Sequence, residues 1–152
     1  MDLPAHEATL VEAAREEVLA VCQRRRDAGR YDAIVAVAAS TAGERYVGIP
    51  LELPQPQLNH CAERHAINEL RKAEPDGELA GIVVAVPVPE AGAGVTTPCG
   101  ACRQAIHEVG PDATVLCGNF VREAEDWTVF PRLERYTAAG LLPAHQGLPE
   151  WN

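Results

Sequence analysis

A chain of 152 residues, 47% of them hydrophobic, is long enough to bury one core and too short to suggest two, so a single domain over residues 1–152 is expected. A formal net charge of -9, with Arg24 to Arg26 as the one basic run, argues against nucleic-acid binding by phosphate neutralisation, and no stretch of 18 apolar residues could span a bilayer. Five cysteines without a secretory leader argue for a reducing, cytoplasmic setting in which a C-x-x-C pair suits a metal or a redox couple better than a structural disulfide.

Taken in chain order, residues 4 to 28 place Leu10, Val11, Ala14, Val18, Leu19 and Cys22 on a helical stripe that Gly29 can end. The apolar run Ala33 to Ala39, the turn Thr41 to Glu44 and the run Arg45 to Ile49 predict a β-hairpin. Pro50, Pro54 and Pro56 then forbid regular structure up to residue 60. A helix is predicted over 61–73 from the face Ala66, Ile67 and Leu70, followed by a strand Ile82 to Val88 and a Gly/Pro/Thr-rich loop to Pro98. A further helix over 99–109, a strand Ala113 to Cys117, a weaker strand near Trp127 to Phe130 and a short helix Pro131 to Ala139 complete the order. Helix, hairpin, then alternating strands and helices predict an α/β fold, a three-layer α/β/α sandwich around a mixed sheet.

Chemistry concentrates at two predicted helix starts. Cys61 opens one, and Cys99 and Cys102 lie on the first turn of the other, where the helix dipole stabilises thiolates able to hold zinc. Three protein ligands leave the fourth tetrahedral position open, the layout of a catalytic rather than a structural Zn²⁺ site. Glu63, two residues after Cys61, can face the same metal as a general base and then a general acid. Arg64 can donate to the sulfurs and offset the excess charge of three thiolates on a divalent cation.

Cys61-Ala62-Glu63-Arg64 with Pro98-Cys99-Gly100-Ala101-Cys102-Arg103-Gln104 resembles the motif pair of the cytidine deaminase family. The resemblance covers most of the chain, reaching from the stretch Tyr31 to Ala39 to Leu141-Leu142-Pro143. It implies a mixed sheet of about five strands sandwiched by helices, assembled as a homotetramer or dimer, and hydrolytic loss of ammonia from a small amino-pyrimidine nucleoside or related amino-heterocycle. It also implies substrate contact at Glu52, Ile34, Ala62 and Pro98.

The pocket departs from the family pattern. An Asn-x-Glu segment is aligned with Pro50-Leu51-Glu52, which keeps the carboxylate and loses the amide. Ile34 and Gln146 stand where the family has phenylalanines. These changes beside an intact metal motif leave two substrate readings open: cytidine or deoxycytidine, and a non-standard amino-heterocycle such as an amino-nucleoside antibiotic, a free base or a purine. A third reading is a non-catalytic zinc-stabilised module in which His60 or His65 closes the site. A polynucleotide substrate is disfavoured by the acidic charge and by an aromatic content of only 5%. Cys22 and Cys117 read as core residues, and Arg103 and Gln104 as equally suited to support the site or to touch substrate.

Overall fold

The computed structural model describes residues 1–29, 33–123 and 126–144, the side chains of Glu123, Asp126 and Trp127 excepted. In chain order the elements are α1 (Ala5–Asp27), β1 (Val35–Ser40), β2 (Arg45–Gly48), a single 3-10 turn (Pro56–Leu58), α2 (Ala62–Ala73), β3 (Leu79–Pro87), α3 (Gly100–Val109), β4 (Thr114–Glu123), β5 (Asp126–Thr137) and α4 (Ala138–Leu141). No described helix is long and apolar enough to cross a membrane.

The five strands form one sheet in the order β2-β1-β3-β4-β5. β3 and β4 run parallel, joined through α3, and every other pair is antiparallel. The strand residues alternate between two cores. On one face Leu10, Val18 and Cys22 of α1 pack against Val35, Val37, Val83, Leu116 and Phe120. On the other, Ile67 and Leu70 of α2, Ile106 of α3 and Leu141 of α4 pack against Ile82, Val84, Val115 and Cys117. This is the expected three-layer sandwich with a mixed sheet, and Cys22 and Cys117 are core residues within it.

One expected element is corrected. Residues 131–137 belong to β5, and the helix that follows is only Ala138–Leu141. The segment is rich in helix formers, but its backbone is committed to β4, with Leu133 opposite Gly118 and Tyr136 opposite Val115. Alternation then decides the faces: Leu133 packs on the α1 side, and Tyr136 packs on the α2 side. A long-range ladder overrides local propensity here. β4 likewise continues past the expected end at Cys117 to Glu123.

Two glycines set the hairpin and what docks on it. Gly43, at φ 91°, makes the turn that L side chains resist. Gly48 lies under α2 so closely that a Cβ there would stand 2.1 Å from the carbonyl oxygen of Ala62 and 2.4 Å from the amide of Ala66. Without a side chain at this position, the start of α2 is pressed onto the sheet.

α1 is locked to the far strands by a buried carboxylate. Glu7, 2% exposed, accepts two bonds of 2.8 Å from Arg135 and one of 2.9 Å from the Thr114 hydroxyl. The Arg135 bonds hold its carboxyl below the ordinary value of 4.5, against burial, which pushes the other way. A depressed folded value stabilises the fold fully above pH 4.5, and this contribution is lost as pH falls through the lower folded value. Glu7→Gln is expected to lower stability by roughly 1–3 kcal/mol near neutrality. Urea unfolding at about pH 7 and about pH 3 checks it: the gap from the parent narrows in acid, and a gap independent of pH rejects the assignment.

Candidate metal centre

The two motif halves meet at the ends of two helices. Cys61 is the N-cap of α2 and Cys99 the N-cap of α3, both extended in backbone conformation, and no side chain caps either helix. The unsatisfied first-turn N–H groups are therefore free to serve the sulfurs. Cys102, one turn into α3, is fully buried. The three Sγ atoms lie within 4.8 Å of one another, with Cys61 and Cys99 3.8 Å apart. A tetrahedral zinc with Zn–S bonds of about 2.3 Å places sulfurs about 3.8 Å apart, so the cluster fits that ion. Among the described residues, no other group of His, Cys, Asp or Glu side chains converges in this way.

The electrostatics are those of a site built for a cation. Burial raises the Cys99 thiol, but the backbone N–H groups of Cys102 and Ala101 and the Cys102 and Cys61 side chains together pull it below its ordinary value. Cys102 is raised, first by burial and then by the charge of Glu63. The opposed shifts of Cys99 and Cys102 come from crowding thiols and a carboxyl into one buried spot, a cost that a divalent cation held by the three sulfurs would offset. Arg64 donates to the sulfurs of Cys61 and Cys102, as the charge argument requires, while its buried Nε has no protein partner.

Glu63, 5% exposed, lies in the first turn of α2 against Cys102. Burial pushes its carboxyl above the ordinary carboxylate range, only partly countered by its own backbone N–H, Cys102 and Arg64. A carboxyl held in this way exchanges protons more readily near neutral pH than an exposed one.

Glu63, Cys61 and Cys99 open onto a cavity of about 330 Å³ whose wall includes Ile34, Pro50 and Glu52. Two larger hollows beside α1, of about 790 and 480 Å³, contain none of these groups. Of the four residues for which the resemblance implies substrate contact, Ile34 and Glu52 line the cavity, whereas Ala62 and Pro98 are buried outside the lining. His60 also lines the cavity. His65 instead places Nδ1 3.0 Å from the Ile49 carbonyl, which ties α2 to the end of β2 and leaves the ring off the sulfur cluster. Gln146 lies outside the described residues.

Arg103 supports the site from behind. It donates to the carbonyls of Pro98 and Leu141 and to the Thr97 hydroxyl, at 2.8, 3.4 and 2.6 Å, fixing the approach to Cys99. Gln104 is spent on Glu108 along the outer face of α3. Sequence reasoning missed Asn59, Val84, Val86, Thr96 and Thr97 in the wall. Val84 and Val86 stand two apart on β3, a same-face signal that could have found them.

A family model described as the cytidine and deoxycytidylate deaminase zinc-binding region matches residues 8–118. Among solved structures, the cytidine deaminase from Burkholderia pseudomallei is 30% identical with a TM-score of 0.58, over 74% of this chain and 80% of that one. The cytidine deaminase from Mycobacterium tuberculosis, 23% identical with a TM-score of 0.52 over 76% and 80%, shares the fold. A search of curated proteins finds no match.

Proposed function

Because this chain belongs to the cytidine and deoxycytidylate deaminase family of zinc-dependent hydrolytic deaminases, we propose that it deaminates cytidine, deoxycytidine or a related amino-pyrimidine nucleoside in the cavity beside the cysteine cluster. One observation carries this reading: three converging sulfurs and a buried carboxyl meet at the mouth of one cavity. A zinc ion, when bound, supplies the Lewis acidity that makes water nucleophilic near neutral pH.

The protein side of the reaction falls to Glu63. Its carboxylate takes a proton from the attacking water and gives it to ring nitrogen 3, while the water oxygen bonds to carbon 4. A second proton passes through the same carboxyl to the exocyclic nitrogen, the carbon–nitrogen bond breaks, and ammonia leaves with a uracil-like product. Arg64 supports the charge of Cys61 and Cys102 throughout. Ile34, Val84 and Val86 offer an apolar wall for a flat ring, and Glu52 offers an acceptor for a hydroxyl. We assign the protein to the cytoplasm as a homo-oligomer, tetramer or dimer; exposed Leu51, Leu53 and Leu58 on the loop beside the cavity support association, whatever the number of copies.

A second reading keeps the reaction and changes the substrate to a non-standard amino-heterocycle. It is favoured by Pro50, which lines the cavity with no side-chain amide to offer. Ammonia release by zinc-loaded protein from cytidine, deoxycytidine, cytosine, amino-purines and amino-nucleoside antibiotics separates the two. The nucleoside reading expects cytidine or deoxycytidine to give the highest kcat/KM; turnover confined to another member of the panel rejects it.

A further inference from the structure

We propose that Asn119 is a positioning residue for substrate, its buried amide tethering the loop at Ala93 and Gly94 that leads into the cavity-lining Thr96 and Thr97; the proposal rests on the deaminase reading of that cavity. Asn119 lies on β4, wholly buried, and by alternation shares the face of Val115 and Cys117. It pairs with Val86, which itself lines the cavity. Its Nδ2 donates to the carbonyls of Ala93 and Gly94, at 3.0 and 3.3 Å. Its Oδ1 is buried with no protein partner.

That arrangement is costly for a residue that only fills space. An amide buried with no protein partner for its oxygen costs more than an apolar side chain of the same shape, a cost its two donated bonds to the 93–94 backbone offset. Their effect lies in the segment they hold. Gly92 and Gly94 bring no side chain, and a Cβ at either would meet nothing within 4 Å. The tether acts on the carbonyls of 93 and 94, and the wall residues Thr96 and Thr97 follow directly. From Thr97 to Cys99 the chain is fixed by Arg103, so Asn119 and Arg103 bracket the wall from its two ends.

The strand opposite is shaped to the same end. Gly118 pairs with Leu133 and Phe120 with Val129, so three residues of β5, 130–132, stand across from Asn119 alone. Within this bulge Phe130 adopts φ 58° and covers Gly118. Arg132 reaches the carbonyls of Gly92 and Ala93 at 3.2 and 3.4 Å, from the exposed side. Two independent donors therefore converge on the same short stretch of backbone.

The test uses the full-length, zinc-loaded protein. Asn119→Asp keeps the shape and removes both N–H donors, and it is expected to raise KM about 10-fold or more, with kcat within about 3-fold and zinc content unchanged. Amides of 91–97 are expected to exchange hydrogen faster in this variant. Should Asn119→Asp fail to fold, Arg132→Ala addresses the same carbonyls from outside and should shift KM and exchange in the same direction by less. KM and exchange both unchanged, or zinc and kcat lost together, would overturn the proposal. Exchange is read without substrate, so the two readings fail separately. If the parent turns over no member of the panel, the deaminase reading falls, and the tether stands or falls on exchange alone.

Discussion

Replacing Glu63 by Gln is expected to leave about one zinc per chain and to lower ammonia release by about 100- to 10,000-fold. The loss corresponds to about 3–5 kcal/mol in the barrier. The substituted amide keeps the size of the side chain and can still pack against Cys102, but it can neither take nor deliver a proton. Because Glu63 is nearly enclosed and its charge is held there against burial, the substitution also removes an unfavourable buried charge. The variant is therefore expected to be at least as resistant to heat as the parent. Metal content by atomic emission, ammonia release and thermal unfolding on one preparation decide it. Activity retained at the parental level, with zinc bound, would remove Glu63 from the proton path.

Substituting Cys102 by Ala is expected to abolish both metal content and turnover. The residue is fully buried and provides one of only three converging sulfurs, so two ligands remain for an ion that needs at least three from the protein. The thermal midpoint is expected to fall to that of the parent treated with chelator, because binding energy that is absent from the unfolded chain is folding energy. Together the two variants distinguish an enzyme from a zinc-stabilised module. A module loses stability on Cys102→Ala and has no activity to lose on Glu63→Gln. Full zinc occupancy in the Cys102 variant would mean that another side chain completes the site.

The centre was legible because its information is local. A cysteine at a helix start, a glutamate two residues on and a C-x-x-C on the next helix's first turn specify geometry within single turns, and the fold needs only to bring two helix ends together. The α1 stripe and both helices of the centre were legible for the same reason, except that Leu19, expected on the stripe, is exposed, and Val21 is buried in the same helix. β5 was legible only in its first part, the weak strand near Trp127 to Phe130. Leu133 to Tyr136 carry no strong strand signal, and their state is decided by a ladder to residues about twenty positions earlier in the chain. The cavity wall was only partly legible, since Ile34, Glu52 and Thr97 come from three separate segments whose meeting depends on sheet order. Asn119 lay beyond the expected strand end at Cys117, and nothing local marks an asparagine as a buried tether whose partners sit about 25 residues earlier.

The span of 38 residues between Cys61 and Cys99 bears on the order of events during folding. In the folded chain the sulfur at the start of α2 meets the other two only because β3 takes its place in the sheet and α3 turns back over it. Closing so long an excursion carries an entropic cost that hydrophobic docking must meet first. Capture of an ion by all three sulfurs is accordingly expected to follow assembly of the crossover rather than growth of either helix, which zinc uptake followed during refolding would test.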